Sequence, residues 1–164
     1  MRGRRVEPTA GQESVWDYPR PPRLEPFAGM IEVRFAGMEI VRSWRAWRVL
    51  ETSHPPNYYL PVEGFAEGVL RRAGGGSWCE WKGRAVYWDL QCGEQRAPMA
   101  AWSYPEPTAA FAPIAGHIAV YAGRVDEARV DGEIVVPQPG EFYGGWITSK
   151  VVGPFKGEPG TAGW

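Results

Sequence analysis

Histidine and cysteine are scarce in this chain of 164 residues, at two each, and both scarcities exclude chemistry. Cys79 and Cys92 form no Cys-x-x-Cys pair, so the usual sequence signature of a structural zinc site is missing. Nothing marks the chain as secreted, and a disulfide between the two cysteines therefore has no support. An excess of charge of one sign is also lacking. With 18 basic and 19 acidic residues the net charge is −1, which gives no electrostatic case for nucleic acid or an anionic membrane. Arg2, Arg4 and Arg5 are not followed by an apolar run, so the N-terminus does not read as a signal peptide. No apolar stretch approaches the roughly 20 residues that span a bilayer. The expectation is a cytoplasmic protein with no cofactor, no metal, no nucleic-acid partner and no membrane partner.

Two abundances pull in opposite directions. Glycine (21) and proline (16) exceed a fifth of the chain, a composition that points to disorder. Nine tryptophans, seven tyrosines and six phenylalanines point the other way, because disordered chains are poor in aromatics. The two together describe a compact fold with many tight turns. Residues 1–13 are polar and read as a flexible N-terminus, and 14–164 as a single β-rich domain large enough for a real core.

Alternation marks the strands. Ile31-Glu32-Val33-Arg34-Phe35 alternates apolar and charged residues, Ala36-Gly37 turns it, and Met38 to Val41 returns. Trp44, Trp47 and Val49 continue in β fashion. Trp78 to Leu90 reads as a hairpin turned near Gly83, with Cys79 and Trp81 on one face of its first strand. Met99 to Tyr104 and His117 to Tyr121 are further strands. Asp131-Gly132, a dipeptide favoured in two-residue hairpin turns, separates two more. Trp16, Tyr18 and the prolines of Arg20–Pro26 read as an extended arm. Val62, Phe65, Ala66, Val69 and Leu70 fall at helical spacing, with Arg71 and Arg72 at the C-terminal end. Gly74-Gly75-Gly76 would follow as a flexible connection, and a second short helix fits Thr108 to Ala115. From Pro137 a long aromatic, Gly- and Pro-rich tail lacks either period.

The most reactive set of side chains lies between Glu51 and Pro61, in Glu-Thr-Ser-His-Pro-Pro-Asn-Tyr-Tyr-Leu-Pro. The Pro-Pro pair stiffens this segment and keeps His54 out of helical geometry. His54 oriented by Glu51 has the makings of a general base, and Cys79 is the nucleophile such a base would activate. Ser53, Tyr58, Tyr59, Trp81, Lys82, Tyr87, Trp102 and Tyr104 combine rings with polar tips, which suits a ligand pocket.

These pieces together resemble one family. They are Glu51-Thr-Ser-His-Pro-Pro-x-Tyr-Tyr-x-Pro61, Cys79-Glu-Trp-Lys-Gly-x-Ala85 followed by Tyr87, Ala101-Trp-x-Tyr-Pro105, His117-Ile-Ala and Tyr143-Gly-Gly-Trp-Ile-Thr148. The family is the bacterial and fungal domain of unknown function four-two-seven, also labelled nucleotidyltransferase-like, and the resemblance runs from about Glu13 to the C-terminus. It implies a mainly-β, coiled antiparallel sheet of the Mss4-like group, here with one or two short helices. Members of that wider group bind zinc through paired Cys-x-x-Cys motifs, absent here, or hold small ligands in aromatic cages. Nucleotidyl transfer relies on closely spaced carboxylates such as Asp-x-Asp, and none occurs in the chain. The leading expectation is a domain that binds a small molecule in an aromatic, polar-edged pocket built on the Glu51–Pro61 loop. The alternatives are a hydrolase or transferase using His54, Glu51 and Cys79, and a protein-interaction module or homodimer joined through exposed rings.

Overall fold

A computed structural model of the chain describes residues 5–140 and 142–164. Its strands are β1 (Glu13–Ser14), β2 (Arg23–Phe27), β3 (Ile31–Phe35), β4 (Met38–Ser43), β5 (Ala46–Leu50) and β6 (Asn57–Pro61). The long strands β7 (Leu70–Cys79), β8 (Gly83–Cys92) and β9 (Gln95–Ser103) follow. Short ones complete the chain: β10 (His117–Val120), β11 (Glu127–Val130), β12 (Glu133–Ile134), β13 (Val136–Pro137), β14 (Trp146–Ile147) and β15 (Val151–Val152). The protein is mainly β, as expected. Among the described residues no helix is long and apolar enough to cross a membrane.

Seven strands form one sheet in the order β2-β5-β6-β10-β9-β8-β7, and four form another in the order β12-β11-β3-β4. Neighbours in both run antiparallel. The β3–β4 and β11–β12 hairpins are the two that the sequence announces most clearly. Ala36, Gly37, Asp131 and Gly132 all have positive φ (53°, 76°, 49° and 82°), as two-residue type I′ turns require.

Successive side chains of a strand face opposite ways, and that rule divides the labour of the seven-stranded sheet. Leu60, Ala101, Ile118 and Val120 face the four-stranded sheet and join Ile31, Val33, Ile40 and Val41 in the main core. Tyr59, Trp102 and Ala119 face the other way, with Tyr104, Ala85 and the partly buried Tyr87. This second face is closed at one end by Phe111 and Ile114. Those two come from Ala109–Ile114, a 3-10 segment where a short helix was expected.

Three expectations change. The helical spacing after Pro61 yields only a 3-10 turn, Val62–Gly64. Beyond it Ala66 N–H bonds Ile40 O across to β4, and Gly68 turns left-handed at φ +78°. A bond to a neighbouring strand thus replaces the helical ladder. Gly74-Gly75-Gly76 lies inside β7, where the register with β8 shifts between Arg72 and Gly76. The glycines serve a bulge rather than a connection. The Arg20–Pro26 arm is in part the edge strand β2, and Pro26 is tolerated there because an edge needs no N–H on its outer side.

Residues 1–4 of the expected loose N-terminus lie outside the described residues. From Arg5 onward the segment is held: Arg5 pairs with Asp17 at 2.7 Å, Val6 N–H bonds Gly153 O, and Gln12 Nε2 bonds Ser149 O. The tail is fastened by its rings. Trp146 is 1 % exposed, stacks obliquely on Tyr58 and donates Nε1–H to Val120 O at 2.9 Å. Trp146→Ala should therefore lower unfolding free energy by about 3–5 kcal/mol in urea titrations. A loss under about 1 kcal/mol would mean that the tail is peripheral to the core.

Candidate functional site

A cavity of about 310 Å³ opens on the second face of the seven-stranded sheet. Its floor is Tyr59, Ala85, Tyr87 and Trp102, and the register explains why they meet. Tyr87 lies opposite Trp102, and Trp102 opposite Ala119, on adjacent strands. Trp102 Nε1–H donates to Tyr59 Oη at 3.1 Å, and Tyr87 and Ser77 hydroxyls bond at 2.9 Å. Burial raises the pKa of both Tyr59 and Tyr104, so they are phenols rather than phenolates.

One wall is the β7–β8 turn, carrying Cys79, Glu80, Trp81 and Lys82. Thr108 clamps that turn from outside: its Oγ1–H bonds Trp81 O at 2.6 Å and its N–H bonds Lys82 O at 3.0 Å. Lys82 is only 7 % exposed. Its Nζ lies 5.5 Å from the Tyr104 ring centroid and 6.0 Å from that of Phe111, a cation–π setting. Among the described residues it has no ion pair and no hydrogen bond, and Tyr104 Oη has no hydrogen bond either.

The opposite wall joins Glu51, His54 and Asn57 to Gln138, Tyr143, Gly144 and Lys156 from the C-terminal segment. Gln138 is 3 % exposed and holds the two together. Its Oε1 accepts from Gly145 N–H at 3.0 Å, and its Nε2 donates to Lys156 O at 2.9 Å. Those backbone partners have fixed polarity, so the amide orientation is fixed too. The second Nε2 proton must then go to His54 Nδ1, 3.0 Å away. Nδ1 is an acceptor, and the ring carries its proton on Nε2.

Glu51 Oε2 lies 3.8 Å from that Nε2, beyond hydrogen-bond length, and 3.3 Å from Arg20 Nη2. Burial, with Lys156, Arg20 and Lys82 adding repulsion, lowers the His54 pKa to about 4. The imidazole is neutral near pH 7 and is a donor at Nε2, with no free lone pair. No hydrogen bond joins His54 to Cys79, although both line the cavity. Close packing keeps this wall in place: a Cβ on Gly145 would meet Pro55 O and Gln138 Oε1 at 2.6 Å, and one on Gly144 would meet the Trp102 ring at 2.3 Å.

The cavity thus collects Glu51, His54, Tyr59, Cys79, Trp81, Lys82, Tyr87, Trp102 and Tyr104 of the expected residues. Two expected residues are elsewhere. Tyr58 neighbours Tyr59 on β6 and must face the other way, where it packs on Trp146 and Phe27. Ser53 is fully buried beneath the loop at φ +72°, with an unpartnered Oγ. Gln138 and Lys156 escaped sequence reasoning because they sit in the tail that has no period, far along the chain from their partners.

The carboxylates do not converge. Asp89 binds Arg96 and Met99 N–H, Asp126 binds Gly37 N–H, and Asp131 binds Met30 N–H. Among the described residues no group of three His, Cys, Asp or Glu side chains could hold a metal ion.

Fold and site together define a mainly-β protein with a cavity on one sheet face, lined by both rings and charged or polar side chains. The sequence profile of the family described as Domain of unknown function (DUF427) matches residues 23–131, and the chain belongs to that family. No curated protein matches the chain. The profile spans the floor and the β7–β8 turn, whereas Gln138, Tyr143 and Lys156 lie beyond it, as does the Tyr143–Thr148 motif.

A depressed histidine pKa has a definite sign. Below pH 6.5 the unfolded chain protonates His54, while the folded protein does so only near pH 4. Stability from this group is complete above pH 6.5 and is lost as pH falls through that window, by about 2 kcal/mol at pH 5. Urea midpoints at pH 7 and pH 5 should differ less in His54→Gln than in the wild type. Equal differences would place His54 in a solvated setting.

Proposed function

We propose that this chain binds a small molecule in the cavity between the Glu51–Pro61 loop and the β7–β8 turn. The observation that carries the reading is the cavity itself: about 310 Å³, within the lower range of ligand pockets. Its rings come from β6, β8 and β9 and from the turn, and polar tips sit at the edge. Rigid rings with hydrogen-bonding ends give contact area at little entropy cost.

Binding is favoured over catalysis for a specific reason. A general base needs a free lone pair within reach of the substrate. In His54 the Nδ1 lone pair is engaged by Gln138 and Nε2 carries a proton. The group is suited to hydrogen-bonding a ligand rather than to taking its proton.

The test is a small-molecule fragment library screened by ¹H–¹⁵N correlation spectra of the full chain. Hits should shift amides at Tyr59, Cys79 to Lys82 and Trp102 to Tyr104. Trp81→Ala should weaken them about tenfold, or ~1.4 kcal/mol. Hits confined to other surfaces, or unaffected by Trp81→Ala, would contradict the reading.

A further inference from the structure

The polar tips that edge this cavity are unequal in kind, and the inequality carries information about the ligand. Lys82 Nζ is held among rings and has no ion pair or hydrogen bond among the described residues. Tyr104 Oη has no hydrogen bond either. His54 presents Nε2–H, with only Glu51 nearby at 3.8 Å. Lys156 Nζ lies over the Tyr143 ring at 5.4 Å and contacts Trp164 O at 3.2 Å. All four are donors, and two carry positive charge.

The acceptors are disposed differently. Glu51 is matched by Arg20 at 3.3 Å, and Glu80, although it lines the cavity rim, is exposed to solvent. Asn57 Oδ1 is unpartnered but closed off from solvent. The Lys82 side chain is largely covered, yet its ammonium has no counter-charge among the described residues, and an anionic group on a ligand would supply one.

Resting on the binding reading above, we infer that the ligand is a small organic oxyanion: a carboxylate or phosphate end between Lys82 and Lys156, and an apolar body against Trp81, Tyr87 and Trp102. A cavity of about 310 Å³ has room for a single ring with one acid substituent. Lysine contributes a point charge and the hydroxyl and imidazole N–H fix direction, a division of roles suited to an oxyanion of either geometry.

Four probes of nearly one shape separate the terms: benzoate, phenyl phosphate, benzamide and benzylamine, titrated into the full chain and followed by ¹H–¹⁵N spectra. The two anions should bind at least tenfold tighter than the neutral and cationic probes, with shifts at Glu80 to Lys82. Whichever anion binds tighter identifies the acid as carboxylate or phosphate. Lys82→Met, which keeps the buried stem, should weaken the anions at least tenfold and leave benzamide unchanged. Should that variant lose its dispersed spectrum, Lys156→Met carries the same expectation at a site that is half-buried. Benzamide or benzylamine binding as tightly as the anions would overturn the inference, and so would a folded Lys82→Met with undiminished anion affinity. Failure of all four probes overturns the oxyanion assignment alone. The binding reading falls only if the wider fragment library also finds nothing at the cavity.

Discussion

One buried amide, that of Gln138, sets the arrangement on which the rest of the site depends. Its oxygen takes Gly145 N–H, and its nitrogen serves both Lys156 O and His54 Nδ1. Three segments distant in sequence thereby share one group: the Glu51–Pro61 loop, the stretch after β13, and the segment around Lys156. Each bond satisfies a polar atom that burial would otherwise leave unpaired, and an unpaired buried group costs about 1–3 kcal/mol. The same bonds decide the chemistry of His54. With Nδ1 accepting, the imidazole is a neutral Nε2–H donor, and burial, with repulsion from Lys156, Arg20 and Lys82, keeps it so. A small change of polarity at position 138 would alter wall, tautomer and charge at once.

The floor depends on a different constraint, the two-residue period of a strand. Tyr58 and Tyr59 are adjacent, yet one stacks on Trp146 in the core and the other bonds Trp102 beneath the cavity. The seven-stranded sheet can carry a cavity on one face because the other face, packed on the four-stranded sheet, holds the main core. Rings on the cavity side are braced by one another. Tyr59 meets Trp102 edge-on at 6.2 Å, and Trp102 lies 4.5 Å from Tyr121. Such pairs add roughly 0.5–1.5 kcal/mol beyond the area they bury. A preformed aromatic floor costs a ligand little reorganisation.

Local pattern made much of this legible in the sequence. Ile31–Phe35 alternates, Asp131-Gly132 permits the positive φ its turn needs, and Trp78 to Leu90 reads as a hairpin; all three are strand features with short-range causes. Nine of the eleven residues singled out in the sequence line the cavity. The Val62–Leu70 stretch misled because helical spacing of apolar residues also arises when a chain alternates between a turn and a bond to a neighbouring strand. Gly74-Gly75-Gly76 misled because a glycine run is as compatible with a bulge as with a linker. Gln138 and Lys156 were illegible for a deeper reason. Their roles come from tertiary partners, and Gln138 lies 84 positions from His54, so no local period could announce them.

The tautomer of His54 tests the account most directly. Long-range ¹H–¹⁵N spectra of the imidazole ring report separately on its two nitrogens. Nδ1 should be unprotonated and Nε2 protonated at pH 7, with about nine-tenths of the rings still neutral at pH 5. A proton on Nδ1, or averaged nitrogen shifts that titrate near pH 6.5, would contradict it and would restore His54 as a base.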